Sequence, residues 1–194
     1  VCEYTGRQVS ERNLKGEVQW SKALTALPIT ARRLANGNTF IATRNGLQEL
    51  DKDGKEVVSI PRPNNDLAAA VRLRNGDFAI VTNLGQYLRL SPEGKELKSL
   101  LVGQVLAVGG GIDVQANGRV LAALYSQGKV VEFDAEGKKL WEADVLQPCS
   151  VARLPNGNVL VTSRNGRAVV EIDRTGKAVW KHGTDGMPIR ASRR

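Results

Sequence analysis

Apolar and polar residues alternate in short runs along this chain, and turn-forming pairs cut the runs. Between residues 149 and 181 four such runs occur, at 150–154, 158–163, 168–172 and 177–180. They are separated by Asn156-Gly157, by Asn165-Gly166 and by Asp173-Arg174-Thr175-Gly176. Two-residue alternation predicts strands, because successive strand side chains point to opposite faces. Asn-Gly between such runs predicts a tight hairpin, since a type I′ turn needs positive φ at both central residues. The stretch reads as a four-stranded antiparallel meander.

The same punctuation recurs along the whole chain. The first-turn pair falls at Asn36-Gly37, Asn75-Gly76, Asn117-Gly118 and Asn156-Gly157, spaced by 39, 42 and 39 residues. The third-turn glycine falls at Gly16, Gly54, Gly94, Gly137 and Gly176, spaced by 38, 40, 43 and 39. A period near 40 with four strands per repeat is the pattern of a β-propeller blade. Over 194 residues that period gives five units. The expected fold is all-β, a five-bladed β-propeller of four-stranded antiparallel blades in a single domain.

Four blades are expected at about 28–60, 67–101, 110–143 and 149–181. The fifth is expected to combine the two ends. Gly6 to Gly16 matches Gly166 to Gly176 without a gap, and Pro188 to Arg194 resembles Pro28 to Leu34. Residues 188–194 would then add an innermost strand to three strands from residues 1–23, removing open sheet edges. The competing expectation is a piece of a longer propeller with six to eight blades.

This organisation gives the fold two faces. Segments 24–27, 61–66, 102–109, 144–148 and 182–187 link the outermost strand of one blade to the innermost strand of the next. They share a face with the second-to-third-strand turns at Arg44-Asn45, Asn83-Leu84, Ser126-Gln127 and Arg164-Asn165. Loops on a rigid scaffold carry most binding chemistry. This loop face therefore holds the binding candidates Arg44, Asn83, Asp113, Tyr125, Arg164, His182 and Asp185. Tyr4, Asn83 and Tyr125 are compatible with sugar pockets between blades, although unequal residues at equivalent positions argue against equivalent sites.

Trp20, Trp141 and Trp180 each stand four residues after a third-turn glycine, and Asp134 and Asp173 precede two of those glycines by three. Val58 and Lys98 stand where two further tryptophans would fall. The pattern resembles the tryptophan-docking repeats of the bacterial quinoprotein (pyrroloquinoline quinone, PQQ) propeller family. The run from Val151 to Thr162 is similar to NHL-type and arylsulfotransferase-type repeats. The resemblance implies a propeller whose tryptophans pack between blades. Because such families are mostly exported bacterial proteins, it also implies a periplasmic or extracellular location, with the cytoplasm as the alternative. It does not carry the quinone over, since the quinoprotein dehydrogenases have eight blades, and no cofactor is expected.

Catalytic chemistry is sparse. The single histidine, His182, lies near Asp185, a combination suited to acid–base work, against the plainer reading of a solvated loop histidine. No His, Cys and carboxylate grouping has metal-ligand spacing. Asp51-Lys52-Asp53-Gly54 lacks the rest of a twelve-residue calcium loop and reads as a turn. Gly109-Gly110-Gly111 follows no strand–helix unit, so it is read as letting backbone crowd the central axis rather than as a phosphate loop. Paired glycosidase acids would need carboxylates on inner strands, where Asp113 alone qualifies. No catalytic residue is assigned. The expected function is a non-catalytic binding or scaffold propeller, and the alternative is a hydrolase or lyase, or a lectin, using the loop face.

Charge adds one hypothesis. The formal net charge is +8. Arg33, Arg72 and Arg153 each precede the first-turn asparagine by three residues, Arg193 falls on the same register, and Val114 breaks the series. Gathered around a channel, such guanidinium groups would hold an anion bidentately; the competing reading leaves them solvated at the rim. Nucleic acid is not expected, because aromatic interleaving and a recognisable motif are lacking. The partner is expected to be a small molecule, a glycan or a protein, and the chain a monomer. No apolar run is long enough for a transmembrane helix. The first residues do not form a signal peptide, so the chain is cytosolic or begins after a removed leader. Cys2 and Cys149 fall in neighbouring blades, where a disulfide is conceivable and two buried free thiols are favoured.

Overall fold

The protein is described by a computed structural model that covers residues 2–107 and 110–193. The N-terminal sheet contains β1 (Cys2–Glu3), β2 (Gln8–Arg12) and β3 (Val18–Ala23). Blade one is built from β4 (Pro28–Arg33), β5 (Thr39–Thr43), β6 (Gly46–Leu50) and β7 (Glu56–Pro61). Blade two follows with β8 (Leu67–Arg72), β9 (Phe78–Thr82), β10 (Gln86–Leu90) and β11 (Glu96–Leu101). In blade three, β12 (Ile112–Val114) and β13 (Val120–Leu124) lead through a 3-10 turn at Tyr125–Gln127 into β14 (Lys129–Phe133) and β15 (Lys139–Asp144). Blade four comprises β16 (Pro148–Arg153), β17 (Val159–Ser163), β18 (Ala168–Ile172) and β19 (Ala178–Gly183). Each sheet is an antiparallel meander in chain order. The all-β propeller class is observed as expected, and the strands end within a few residues of their predicted limits.

In blades one to four burial is greatest in the second strand and least in the fourth, and the residues explain why. The second strands β5, β9, β13 and β17 are buried at every position, and their sequences are almost continuously apolar. A strand covered on both faces reads this way rather than alternating. The fourth strands β7, β11 and β19 are mostly exposed and mix charged with apolar residues.

In all five sheets the pairing of the last two strands shifts register at the same repeat position, next to Glu11, Glu49, Arg89, Glu132 and Glu171. Such a bulge re-aims the side chain beside it. The turn that follows closes on a glycine with positive φ, between 80° and 89° in the five copies. Asp51 Oδ1 accepts the backbone N–H groups of Asp53 and Lys55, each at 2.9 Å, so the Asp51-to-Gly54 stretch is the turn it was read as.

The chain divides into two compact units, Val1–Leu67 and Ala68–Arg194. In the first, Val9, Ile41 and Leu50 are buried together against Trp20, Leu24 and Ala31. In the second, one cluster joins blades two and three through Val81, Tyr87, Val120 and Val131. Another joins blades three and four through Leu121, Val130, Val161 and Ile172.

Residues 187–193 carry no strand. They lie against blade four, with the Ile189 carbonyl accepting from Thr162 Oγ1 at 3.2 Å and the Pro188 carbonyl 3.2 Å from Cys149 Sγ. Val1, Val108, Gly109 and Arg194 lie outside the described residues, so the Gly109-to-Gly111 reading is described only from Gly110 onward. Cys2 and Cys149 are thiols not joined in a disulfide; Cys149 is buried and Cys2 half-buried.

Candidate functional site

The repeat arginines fold back onto their own first turns. Arg33 Nη1 donates to the Gly37 carbonyl at 2.9 Å and Arg153 Nη1 to that of Gly157 at 2.8 Å; Arg72 bonds Gly76 in the same way. Arg33, Arg153 and Arg193 also meet a carboxylate on the penultimate strand of the preceding sheet. Arg33 pairs with Glu11, Arg153 with Glu132 at 2.7 Å, and Arg193 with Glu171. The first two contacts tie neighbouring sheets together, and the third holds the C-terminal segment to blade four. Arg72 also lies with its guanidinium 4.1 Å over the Phe78 ring.

The acidic partners are set by the bulge, which turns Glu132 and Glu171 into the sheet rather than outward; only 7 and 4 % of their surface is exposed. First-turn side chains complete their bonding. Asn156 and Asn158 donate to Glu171 Oε1 at 2.9 and 2.7 Å, and Gln115 donates to Glu132 Oε1 at 3.1 Å. In blade one Asn36 and Asn38 donate to Glu49 Oε1 at 3.4 and 2.7 Å. Blade two inverts the arrangement. Arg89 occupies the glutamate position and Asp77 the asparagine position, and they pair at 2.7 Å. The following first strand then carries Val114, the one break in the arginine series. By the register in which Arg153 meets Glu132, position 114 corresponds to Arg89, so the break in the arginine series falls where the carboxylate is replaced by a cation.

Glu171 is held below the usual carboxylate range, first by the Asn158 amide, then by Asn156, with Arg193 adding attraction. A carboxylate depressed on folding contributes stability above its unfolded pKa of about 4.3, and that contribution is lost as pH falls through the folded value. Glu171→Gln is therefore expected to be less stable than the parent at pH 7. The gap should narrow below pH 4 when melting is followed by circular dichroism.

The loop-face candidates are placed as follows. Arg44 Nη2 donates to the Asn65 carbonyl at 3.3 Å, and the Asn83 carbonyl accepts from Gln104 Nε2 at 3.1 Å. Asp113 sits in β12, where Oδ2 accepts the Arg153 backbone N–H at 2.8 Å, a contact between strands of adjacent blades. Tyr125 opens the 3-10 turn of blade three. His182 belongs to β19 rather than to the link after it, and its ring stacks beside Trp180 with centroids 6.0 Å apart. Asp185 is exposed in that link. Asp113 and His182 are not brought together, since one is on the innermost strand of blade three and the other on the outermost strand of blade four.

Arg164 heads the β17–β18 turn, where its backbone N–H donates to the Gln147 carbonyl at 3.1 Å. Gln147 was missed in the sequence, although it occupies the link that the repeat assigns to this face. Four large apolar side chains also stand out on the loop face of the second unit. Leu84 and Leu101 are each 77 % exposed, Leu146 63 % and Met187 50 %. They lie in the β9–β10 turn, at the end of β11, in the β15–β16 link and after β19.

The tryptophans act as the repeat pattern implies in two places. Trp141 Nε1 donates to the Arg174 carbonyl at 3.0 Å, docking blade three onto the third turn of blade four. Trp20 Nε1 lies beside the Gly54 turn of blade one.

A model of the PQQ-repeat family described as outer membrane protein assembly factor BamB matches residues 3–148 and 83–194. The chain belongs to that family. No curated protein matches this BamB-family chain. Among solved structures it is similar to a protein of unknown function from Bacteroides caccae, with 19 % identity and a TM-score of 0.75 over 91 % of this chain and 69 % of that one. It is also similar to a catalytically inactive virginiamycin B lyase from Staphylococcus aureus with quinupristin, at 13 % identity and a TM-score of 0.68 over 94 and 64 %. The WD40 β-propeller domain of Doa1 matches at 12 % identity and a TM-score of 0.74 over 93 and 63 %. This chain thus spans about two thirds of the length of these structures, which share its propeller fold. No helix among the described residues is long and apolar enough to cross a membrane.

Proposed function

We propose that this BamB-family propeller is a non-catalytic binding or scaffold module that engages a protein partner through its loop face in the periplasm. The exposure of Leu84, Leu101, Leu146 and Met187 on that one face carries the reading. Large apolar side chains left in water on a rigid face favour a protein partner over a small anion, because burying them is where binding energy is gained. The repeat arginines support the same choice from the other side. The guanidinium groups of Arg33, Arg153 and Arg193 already bond carboxylates within the fold, so drawing them to an external anion would break those pairs. The family's description, outer membrane protein assembly factor, supports the location.

The test replaces Leu84, Leu101 or Leu146 with a photo-crosslinking benzoylphenylalanine in cells producing the chain, with Val57 and Leu97 on the outer strands as controls. Discrete protein adducts are expected from the loop-face positions and none from the controls. Adducts from neither set, or equally from both, would overturn the reading.

A further inference from the structure

The β15–β16 link and the β17–β18 turn of blade four meet at one corner of the loop face. Ser163 Oγ donates to the Leu146 carbonyl at 2.5 Å, and the Arg164 N–H to the Gln147 carbonyl at 3.1 Å, so the two loops are pinned through the carbonyls of the link. Their side chains are not satisfied in the same way. Gln147 Oε1 and Arg164 Nε are both buried without a hydrogen-bond partner among the described residues. One is an acceptor and the other a donor. Groups of this kind normally find partners, and an orphan is costly. Gln147 also holds a positive φ of 45°, a strained conformation for a residue with a side chain. Leu146, adjacent in sequence, stands 63 % exposed.

The loop face shows what satisfies such an arginine. Arg44, the equivalent of Arg164 in blade one, donates to a backbone carbonyl, that of Asn65. Building on the protein-partner reading above, we propose that Leu146, Gln147 and Arg164 form a docking site for an extended peptide segment of that partner. The segment's backbone carbonyl accepts from Arg164, an adjacent backbone N–H donates to Gln147 Oε1, and an apolar side chain covers Leu146. Both polar side chains belong to half-buried residues on long stems and turn outward on binding. The bond each lacks in the free chain is then made only in the complex, which gives the bound conformation its differential stability. A single anion is a poorer fit, because it leaves the Gln147 acceptor unpaired.

The test selects a linear dodecapeptide from a phage-displayed library against the folded full chain. Its binding is then measured by fluorescence anisotropy. Arg164→Gln and Gln147→Met are each expected to weaken binding about tenfold, as is N-methylation of one peptide amide. Gln147→Met should leave the melting temperature of the free chain unchanged or raise it, since it removes an orphan acceptor. A drop of several degrees would instead make Gln147 a structural group, bridged by water, and overturn the proposal. Equal binding to parent and both variants also overturns it. If Leu84→Ser then weakens that peptide, the protein-partner reading stands while this site falls; if no peptide is selected, both fall.

Discussion

Phe78→Ala is expected to lower the free energy of unfolding by about 3–5 kcal/mol, the range for deleting a fully buried aromatic side chain. Phe78 begins β9, is completely buried, and lies under the Arg72 guanidinium at 4.1 Å. Truncation removes three things together: the apolar area of the ring, the face on which Arg72 rests, and the filling of a strand covered on both sides. The surrounding strands are tied to their neighbours by ladders, so the cavity has little freedom to collapse. Urea unfolding should show the loss in the midpoint with little change in slope. Phe78→Leu is the control, expected to recover more than half of the loss while still removing the ring that Arg72 covers. A change below about 1 kcal/mol for the alanine variant would mean that this strand is not the packed interior described above.

How much of this was legible before folding differs from feature to feature. The blades could be read because their punctuation is local. Asn156-Gly157 and Asp173-to-Gly176 each specify a turn from two to four adjacent residues, whatever surrounds them. Tryptophan docking was legible for the same reason, as Trp20 and Trp141 keep a fixed distance from their turn glycines. The acidic half of the clamp was equally periodic, with Glu11, Glu49, Glu132 and Glu171 each two residues before a third-turn Asn or Asp. It went unread because a glutamate near a turn ordinarily implies a solvated surface. Only the bulge, which is a property of the ladder, turns it inward.

Val114 marks the limit of sequence reasoning. Its meaning depends on Arg89 and Asp77, far away in sequence and brought to it only by the stacking of blades two and three. The Gln147 and Arg164 corner is a different case: its backbone contact recurs in blade one between Leu27 and Arg44, but the repeat does not fix which side chain stands at the link position. His182 was read as a loop residue because the fourth run was ended at Trp180, yet the ladder with β18 runs on through Gly183 opposite Ala168.

The inversion in blade two can be transplanted, and the outcome separates a modular clamp from a fixed one. Glu132→Ala alone is expected to cost about 2–4 kcal/mol. Arg153, whose side chain is only 19 % exposed, then keeps its charge without its 2.7 Å carboxylate partner, and Gln115 loses its acceptor. Removing one member of a buried pair costs more than the pair is worth, because the survivor's desolvation is no longer offset. Glu132→Arg should be at least as damaging, since it sets two guanidinium groups against each other.

Blade two and the first strand of blade three already contain the repair: aspartate at the first turn, arginine in the third strand and valine in the following first strand. Copying it as Arg119→Asp, Glu132→Arg and Arg153→Val restores a paired arginine and removes the cation that would oppose it. The triple variant is therefore expected to regain most of the stability that Glu132→Arg loses, a strong non-additivity among residues sharing one network. If each blade interface is an exchangeable electrostatic unit, the three substitutions together are milder than the one alone. If the triple is no more stable than Glu132→Arg, backbone geometry rather than charge pairing distinguishes the interfaces, and the break at Val114 needs another cause.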